Sequence, residues 1–211
     1  FHLHSEMSTD SLHAVPDAVR IVAAEGLEVV AATDHDSITD YRPAILDAGL
    51  EDWVLAVSGA EVSDPILAHI NGYPLRRSPE ASGGGAIEWF DQSPIDTFAD
   101  LRGLGDPAFG DPIVQVNHPN RNGSGWFRSI GLDPVSGMAT ANPADLNIDP
   151  DSDLNTFDFD VIEAWNKSPD DNDEITVEQL LGLWSHGWRF GMMGNSDSHE
   201  PGNPAGSPRT Y

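Results

Sequence analysis

Hydrophobic positions along the chain fall into short runs of two kinds. "LEVVAATDHD", "PIVQVNHPN", "FDVIEAWN" and "RFGMMGNSDSH" each hold a strand-length apolar stretch that gives way to polar residues. "VPDAVRIVAAEG", "DYRPAILDAG", "SPIDTFADLRGLG" and "TVEQLLGLWSHGW" carry apolar residues at helical spacing. Pro16 is tolerated in a first turn, Gly26 and Gly49 mark stops, and Ser93 stands where an N-cap is expected. "WVLAVSGAEVS" and "ILAHINGYPL" read as consecutive strands, "EASGGGA" as a flexible loop, and Arg121 to Asp160 as a wide loop. His2 to Ser5 reads as the end of a first strand. There is no internal repeat, and the strand–helix alternation predicts a parallel α/β architecture.

The polar residues that close the apolar runs are of few types. His2 and His4 sit two apart, the period of one strand face. From that spacing alone they are a polar patch, a packed pair or two ligands of one metal. Asp34, His35 and Asp36 follow "VVAAT", Glu61 follows "LAVSGA", and His69 lies within "ILAHI". His118 follows "IVQVN", and Asp197 and His199 follow "FGMMGNS". Taken singly, His35 could cap a loop, Glu61 could pair with an arginine, and His118 before Pro119 could be a turn residue. Together they gather at the carboxyl ends of successive strands, where α/β barrels build their active sites. Neutral imidazoles with carboxylates suit zinc, manganese or iron. His13, at a helix start, and His186, beside Trp184 and Trp188, fall outside the pattern and read as structural.

Composition narrows the classes. With 211 residues, 39% of them hydrophobic, the chain can bury one substantial core, so a single domain over 1–211 is expected. No apolar run approaches a membrane span. The opening at Phe1 and the loop-like ending "GSPRTY" read as a piece cut at both ends, so neither a leader nor a location is inferred. Absence of cysteine excludes disulfides, thiolate ligands and a cysteine nucleophile, and no GxSxG serine motif occurs. Asp and Glu number 35 against 10 Lys and Arg, a net charge of −25 that argues against a nucleic-acid partner. Much of that charge lies in loops such as "NIDPDSDLNTFDFD", ordinary solvated surface; Lys167 is the sole lysine.

Motif order adds a resemblance. "HLHSEMSTD", "TDHD", Glu61 in "GAEVS", "AHINGYPL", "VNHPN" and "GNSDSH" resemble the ordered motifs of the PHP (polymerase and histidinol phosphatase) metallohydrolase superfamily. "PIVQVNHPN", "GLDPVSG", "FDVIEAWN" and "GNSDSHEPGNPAGSPRTY" are similar to its CehA/McbA branch, which includes carbaryl-hydrolysing esterases. The likeness runs from Phe1 to Tyr211. It implies a distorted seven-stranded β/α (TIM-like) barrel with two or three divalent metals at its carboxyl end. By motif, His2, His4 and Asp197 would hold the first metal, and Glu61 would bridge to a second completed by His69 and His118. Asp10, His35 and His199 would hold a third. Asp34 and Asp36 would either orient His35 or simply cap the loop.

The resemblance implies a hydrolase in which paired ions lower the pKa of a bridging water to about 7. Glu61 and Asp197 would serve catalysis through the metals, and His199 would protonate the leaving group where the third site is unused. Two small-molecule substrate classes compete: carbamates or aryl esters, favoured by the branch motifs, and phosphoesters, the superfamily's commonest. Arg121 and Arg128, with Arg209 further on, are the cations a phosphate would need; their plain reading is surface pairing with the many carboxylates. Trp126 and Phe127 beside them would suit an aryl group. A non-catalytic, metal-stabilised binding domain is the reading from another class.

Overall fold

In the computed structural model, which describes residues 1–90, 92–167 and 170–211, seven strands sort into two sheets. β1 (Val29–Ala31) and β2 (Leu55–Val57) form a parallel pair. β3 (Ala60–Ser63), β4 (His69–Tyr73), β5 (Ile113–Val116), β6 (Val161–Asn166) and β7 (Gly191–Asn195) form the second sheet in chain order. The helices are α1 (Val15–Ala24), α2 (Arg42–Ala48), α3 (Pro94–Gly103), α4 (Trp126–Ser129) and α5 (Asp171–Ser185).

Local chemistry explains the helix ends. Gly26 (φ 69°) and Gly49 (φ 67°) take the left-handed conformation that stops α1 and α2. Ser93 caps α3 in a reciprocal capping box with Asp96. α5 begins five residues before the expected Thr176 because Asp170 and Asp173 form the same reciprocal box there. The expected flexible loop "EASGGGA" is instead a tight turn, pinned by Gly83 and Gly84 carbonyls that accept from Ile38 and Ser78. The wide loop from Arg121 to Asp160 contains α4 and a 3-10 turn at Pro143–Leu146.

Two expectations are corrected. The sheet is not all parallel: β4 runs antiparallel to both β3 and β5. The five residues between Ser63 and His69 suit a hairpin, whereas a parallel crossover takes a dozen or more. Nor does a seven-stranded barrel close. Between β1 and β7 the backbone is joined through Leu3 and its neighbours, with Leu3 bridging to Ser198 and exchanging two hydrogen bonds with the Thr33 hydroxyl. The result is an open cup.

Period-two alternation gives the cup its two faces. Ile70, Val114, Val116 and Ile162 point outward and pack with Phe98 and Leu101 of α3, Trp126 and Phe127 of α4, and Leu180 and Leu183 of α5. A second core joins Val19 and Val22 of α1, Val30 of β1, Ile45 of α2 and Ala56 of β2. The buried inward residues of β4 and β5 are polar. Tyr73 donates to Gln115, Gln115 to Asn117, and Asn117 to both Asn71 and Glu61. These buried amides satisfy one another in a continuous chain, the condition on which such a polar interior is tolerated.

Gly59 sits where the chain passes from β2 to β3, and a Cβ there would meet the Gly72 and Ala32 carbonyl oxygens at 2.7 and 2.8 Å. Gly59→Ala should therefore cost about 1–3 kcal/mol, the usual penalty of overpacking. Thermal unfolding measures it; an unchanged midpoint would show that the link between the sheets has slack.

Candidate metal centre

Each polar strand end delivers its side chain to one place. His2 and His4 come from the segment that joins β7 to β1, and Glu61 lies within β3. His69 opens β4, and because β4 is antiparallel its first residue lies beside the last residue of β3, Ser63. That places His69 at the same rim as the residues that follow β5 and β7. His118 and Asp197 stand two residues beyond those strands with φ of 25° and 45°. Asp36 (φ 50°) and Lys167 (φ 56°) share this left-handed backbone, which is strained for a residue with a side chain. Four of the five non-glycine positive-φ residues among those described thus lie at this rim.

Glu61 is the hub. Its carboxylate is fully buried, with Oε1 3.1 Å from His2 Nε2 and 3.3 Å from His69 Nδ1, and Oε2 2.8 Å from His35 Nδ1 and 3.5 Å from His4 Nε2. His118 Nε2 is 3.8 Å from Oε1, and Asn117 donates to the same oxygen at 2.6 Å. Asp197 forms a second focus, with Oδ1 3.3 Å from His2 Nε2, 3.2 Å from His4 Nε2 and 3.3 Å from His199 Nδ1. Asp10 is the outermost: its Oδ2 lies 3.3 Å from Nε2 of both His35 and His199. The His4 ring stacks against each of those two imidazoles at centroid distances of 4.3 and 4.0 Å. All nine expected ligands therefore meet in one cluster, while His13 and His186 bond elsewhere, to Ser198 and to the Val135 carbonyl.

The charges around Glu61 work against its burial. Desolvation would raise its pKa, but the charges of His2 and His69 and the close approach of His2 and His35 hold it well below the usual carboxylate range. Asp197 is likewise held well below its usual value, mainly by His2 and His4 acting against burial. Burial pulls the His2 imidazole down, yet Glu163, Asp197 and Glu61 outweigh it and hold it well above 6.5. His4 and His118 go the other way, pushed down by burial to about 4 and about 3. These two are neutral imidazoles at neutral pH.

Four trios of donor atoms lie within 4.8 Å of one another: His2–His4–Asp197, His2–Glu61–His118, His35–Glu61–His69 and His4–His35–His199. Buried imidazole nitrogens in them lack hydrogen-bond partners, namely His2 Nε2, His4 Nε2 and His69 Nδ1. Buried polar atoms are rarely left so, and unpartnered imidazole nitrogens facing carboxylates fit a divalent cation. The donor set suits such an ion.

Above the cluster opens a cavity of about 360 Å³. Arg121 and Lys167 line it, with Nη1 and Nζ at 3.8 and 3.1 Å from Asp197 Oδ2. Lys167 was not expected here; as the sole lysine of a chain of charge −25 it carried a signal in composition alone. The expectation that Trp126 faces substrate is not met: α4 turns its ring into the core, fully buried. Arg128 is exposed on α4 and does not line the cavity, and Arg209 ties the Gly206 carbonyl to Glu25. Asp34 does not hold His35. It accepts from Ser5, Ser8 and Tyr41, and Ser8 in turn meets His4 Nδ1. Asp36 accepts from the Ser63 backbone, and the Ser63 hydroxyl meets His35 Nδ1 at 2.6 Å. Glu163, buried on β6, lies outside the expected set and touches both His2 and the backbone of His118.

No known family profile matches the chain, and no curated protein matches it by sequence. Solved structures do match. A two-domain protein from Bacteroides vulgatus, assigned as containing a PHP-like metal-dependent phosphoesterase, matches at TM-score 0.52 and 20% identity over 95% of this chain and 51% of its own. This chain thus spans about half of that protein. A protein from Bifidobacterium adolescentis, assigned as a metal-dependent phosphoesterase, matches at 0.57 and 16% identity over 98% and 89%. An amidohydrolase from Chromobacterium violaceum, holding sulfate and no metal, matches at 0.54 and 18% over 97% and 88%. At such identities the likeness is one of fold, and the chain shares the fold of these PHP-like and amidohydrolase structures.

Proposed function

We propose that the chain is a divalent-metal-dependent hydrolase of the PHP type and that its substrate is a phosphoester. The observation that carries this reading is the convergence of five imidazoles on the buried Glu61, with unpartnered donor atoms facing inward. His2, His4 and Asp197 would hold one ion, and Glu61 with His69 and His118 another. Asp10, His35 and His199 are placed for a third. Bound zinc, manganese or iron would supply Lewis acidity and an acidified water. Overall, water adds to phosphorus, the ester P–O bond breaks, and the departing oxygen takes a proton.

The protein's own residues divide the remaining tasks. Arg121 and Lys167 would bind and orient the phosphoryl oxygens at the cavity wall through charge-assisted hydrogen bonds. Where the third site is unused, His199, whose Nδ1–H donates to the Asp197 carbonyl at 2.8 Å, would protonate the leaving oxygen from a second proton on Nε2, beside Asp10 Oδ2 at 3.3 Å. Withdrawal of Trp126 into the core removes the aromatic surface that an aryl carbamate would use. The CehA/McbA-like motifs keep the carbamate or aryl ester as the second reading. A panel of phosphomonoesters, phosphodiesters, aryl esters and carbamates with manganese and zinc separates the two.

Three outcomes are expected. Glu61→Gln should lose metal, measured by elemental analysis, and fall by orders of magnitude in turnover while circular dichroism stays native. Retained metal with wild-type turnover would remove Glu61 from its bridging place. Lys167→Ala should lower kcat/KM for a phosphomonoester about 10- to 100-fold, the worth of one hydrogen bond to a charged group. An equal loss on a neutral naphthyl carbamate would speak against phosphate at that wall.

The third outcome is a pH dependence. His2 is held well above 6.5, so in the metal-free protein it keeps its second proton to higher pH than a free imidazole does. An ion taking its Nε2 must displace that proton, so loading releases protons and affinity rises with pH. His4 and His118 are already neutral and release none. Titration calorimetry in buffers of different ionisation enthalpy reads the release; heats that do not depend on the buffer would count against His2 as a ligand.

A further inference from the structure

Resting on the metal-dependent reading above, we propose that Glu163 is a positioning residue that fixes the tautomer of His2, and thereby aims the His2 lone pair into the centre. Glu163 is 1% exposed and lies within β6, facing the inside of the cup. Its Oε1 is 2.8 Å from His2 Nδ1. Its Oε2 accepts from the His118 backbone N–H at 2.7 Å and from the Asn166 side-chain amide at 3.0 Å. An ionised carboxylate only accepts, so the three groups around it must all donate. Nδ1 is also the one ring nitrogen of His2 that is hydrogen-bonded, Nε2 having no partner, so His2 carries its proton on Nδ1. In a neutral imidazole that leaves the lone pair on Nε2, which faces Glu61 and Asp197 at 3.1 and 3.3 Å. When His2 gives up its second proton to an ion, Glu163 ensures that the proton lost is the one on Nε2.

The two oxygens hold different ligands of the centre. Oε1 sets the ring of His2, and Oε2 anchors the backbone of His118 in its left-handed conformation, φ 25°. This division makes substitutions informative. In Glu163→Gln the amide oxygen must take the Oε2 position, because two N–H donors point there. The amide NH₂ is then forced toward His2 Nδ1. Two donors cannot share that contact, so Nδ1 becomes the acceptor and the proton moves to Nε2, where it blocks the metal. Glu163→Leu also removes the charge and the hydrogen bonds, but it leaves the tautomer free. The better mimic of glutamate is thus the worse variant for metal.

The test compares the full chain with both variants, using zinc affinity from chelator competition and the imidazole ¹⁵N spectrum of the metal-free protein at a pH where His2 is neutral. The leucine variant should weaken zinc about 10- to 100-fold, as loss of a metal ligand's hydrogen-bonding partner does, and the glutamine variant should weaken it further. The spectrum should show His2 protonated at Nδ1 in the wild type and at Nε2 in the glutamine variant. Equal losses in both variants would reduce Glu163 to its charge, and a greater loss with leucine would reduce it to packing; either overturns the proposal. The wild-type spectrum needs no variant to fold, and Nε2 protonation there overturns it outright. A wild type that binds no zinc yet shows Nδ1–H would sink the metal-dependent reading and leave the tautomer assignment standing.

Discussion

A charged carboxylate at zero exposure is the constraint around which the rest of this structure is arranged. An isolated ion in such a place costs several kcal/mol even after relaxation. Glu61 escapes that penalty only because His2, His4, His35, His69 and His118 surround it and Asn117 donates to it. Those partners arrive from four separate stretches of chain, so the site cannot be assembled locally. It exists only once the two sheets have docked. In the metal-free protein part of the compensation is a proton held on His2; bound ions would take over that role and make the cluster a folding element as well as a reactive one.

The demands of the centre explain why the cup is polar inside. A closed α/β barrel fills its interior with branched apolar side chains. Here Asn71, Tyr73, Gln115, Asn117 and Glu163 take those inward positions, and hydrogen bonds run from the strand interiors up to Glu61 and His2. The apolar cores lie instead behind the sheets, against the helices. A dry floor beneath the carboxylate would leave Asn117 and Glu61 unsatisfied, so the open cup and its buried amides are parts of the same solution.

What the sequence makes legible follows from where its signals are dense. Polar residues ending apolar runs stand out, and His2, His4, His35, Glu61, His118, Asp197 and His199 are all visible that way. Glu163 is not, since it sits within an apolar run; the readable signal is its alternation with Ile162 and Ala164, which puts one polar residue on an inner strand face. Gln115 with Asn117, two apart in "VQVN", give the same signal. The antiparallel β4 is legible in a connection too short for a crossover, and it explains why His69 belongs to the rim although it opens its strand. Trp126 misleads because a loop composition conceals the four-residue α4, whose aromatics pack inward. The gap between β1 and β7 is beyond any local pattern, because pairing there depends on contacts nearly two hundred residues apart, such as Leu3 with Ser198.

Net charge and site chemistry pull in opposite directions, and their balance shapes what can enter. A field of −25 enriches divalent cations near the surface and repels anionic substrates, both effects weakening with salt. The cavity answers locally. Lys167 and Arg121 stand at its wall among Asp10, Asp197 and Glu200, so an approaching group meets two fixed cations there even though the surface is acidic. Ions in the cluster would add their own charge to the same patch, which makes metal loading and anion binding mutually reinforcing. The strained backbone at Lys167 and Asp197 belongs to this arrangement, since φ values of 56° and 45° bring the ammonium and the carboxylate within 3.1 Å of each other at adjacent strand ends. In the metal-free state the lysine thus offsets the charge of the buried Asp197 carboxylate; an ion held there would take over that role and leave the ammonium for an anion.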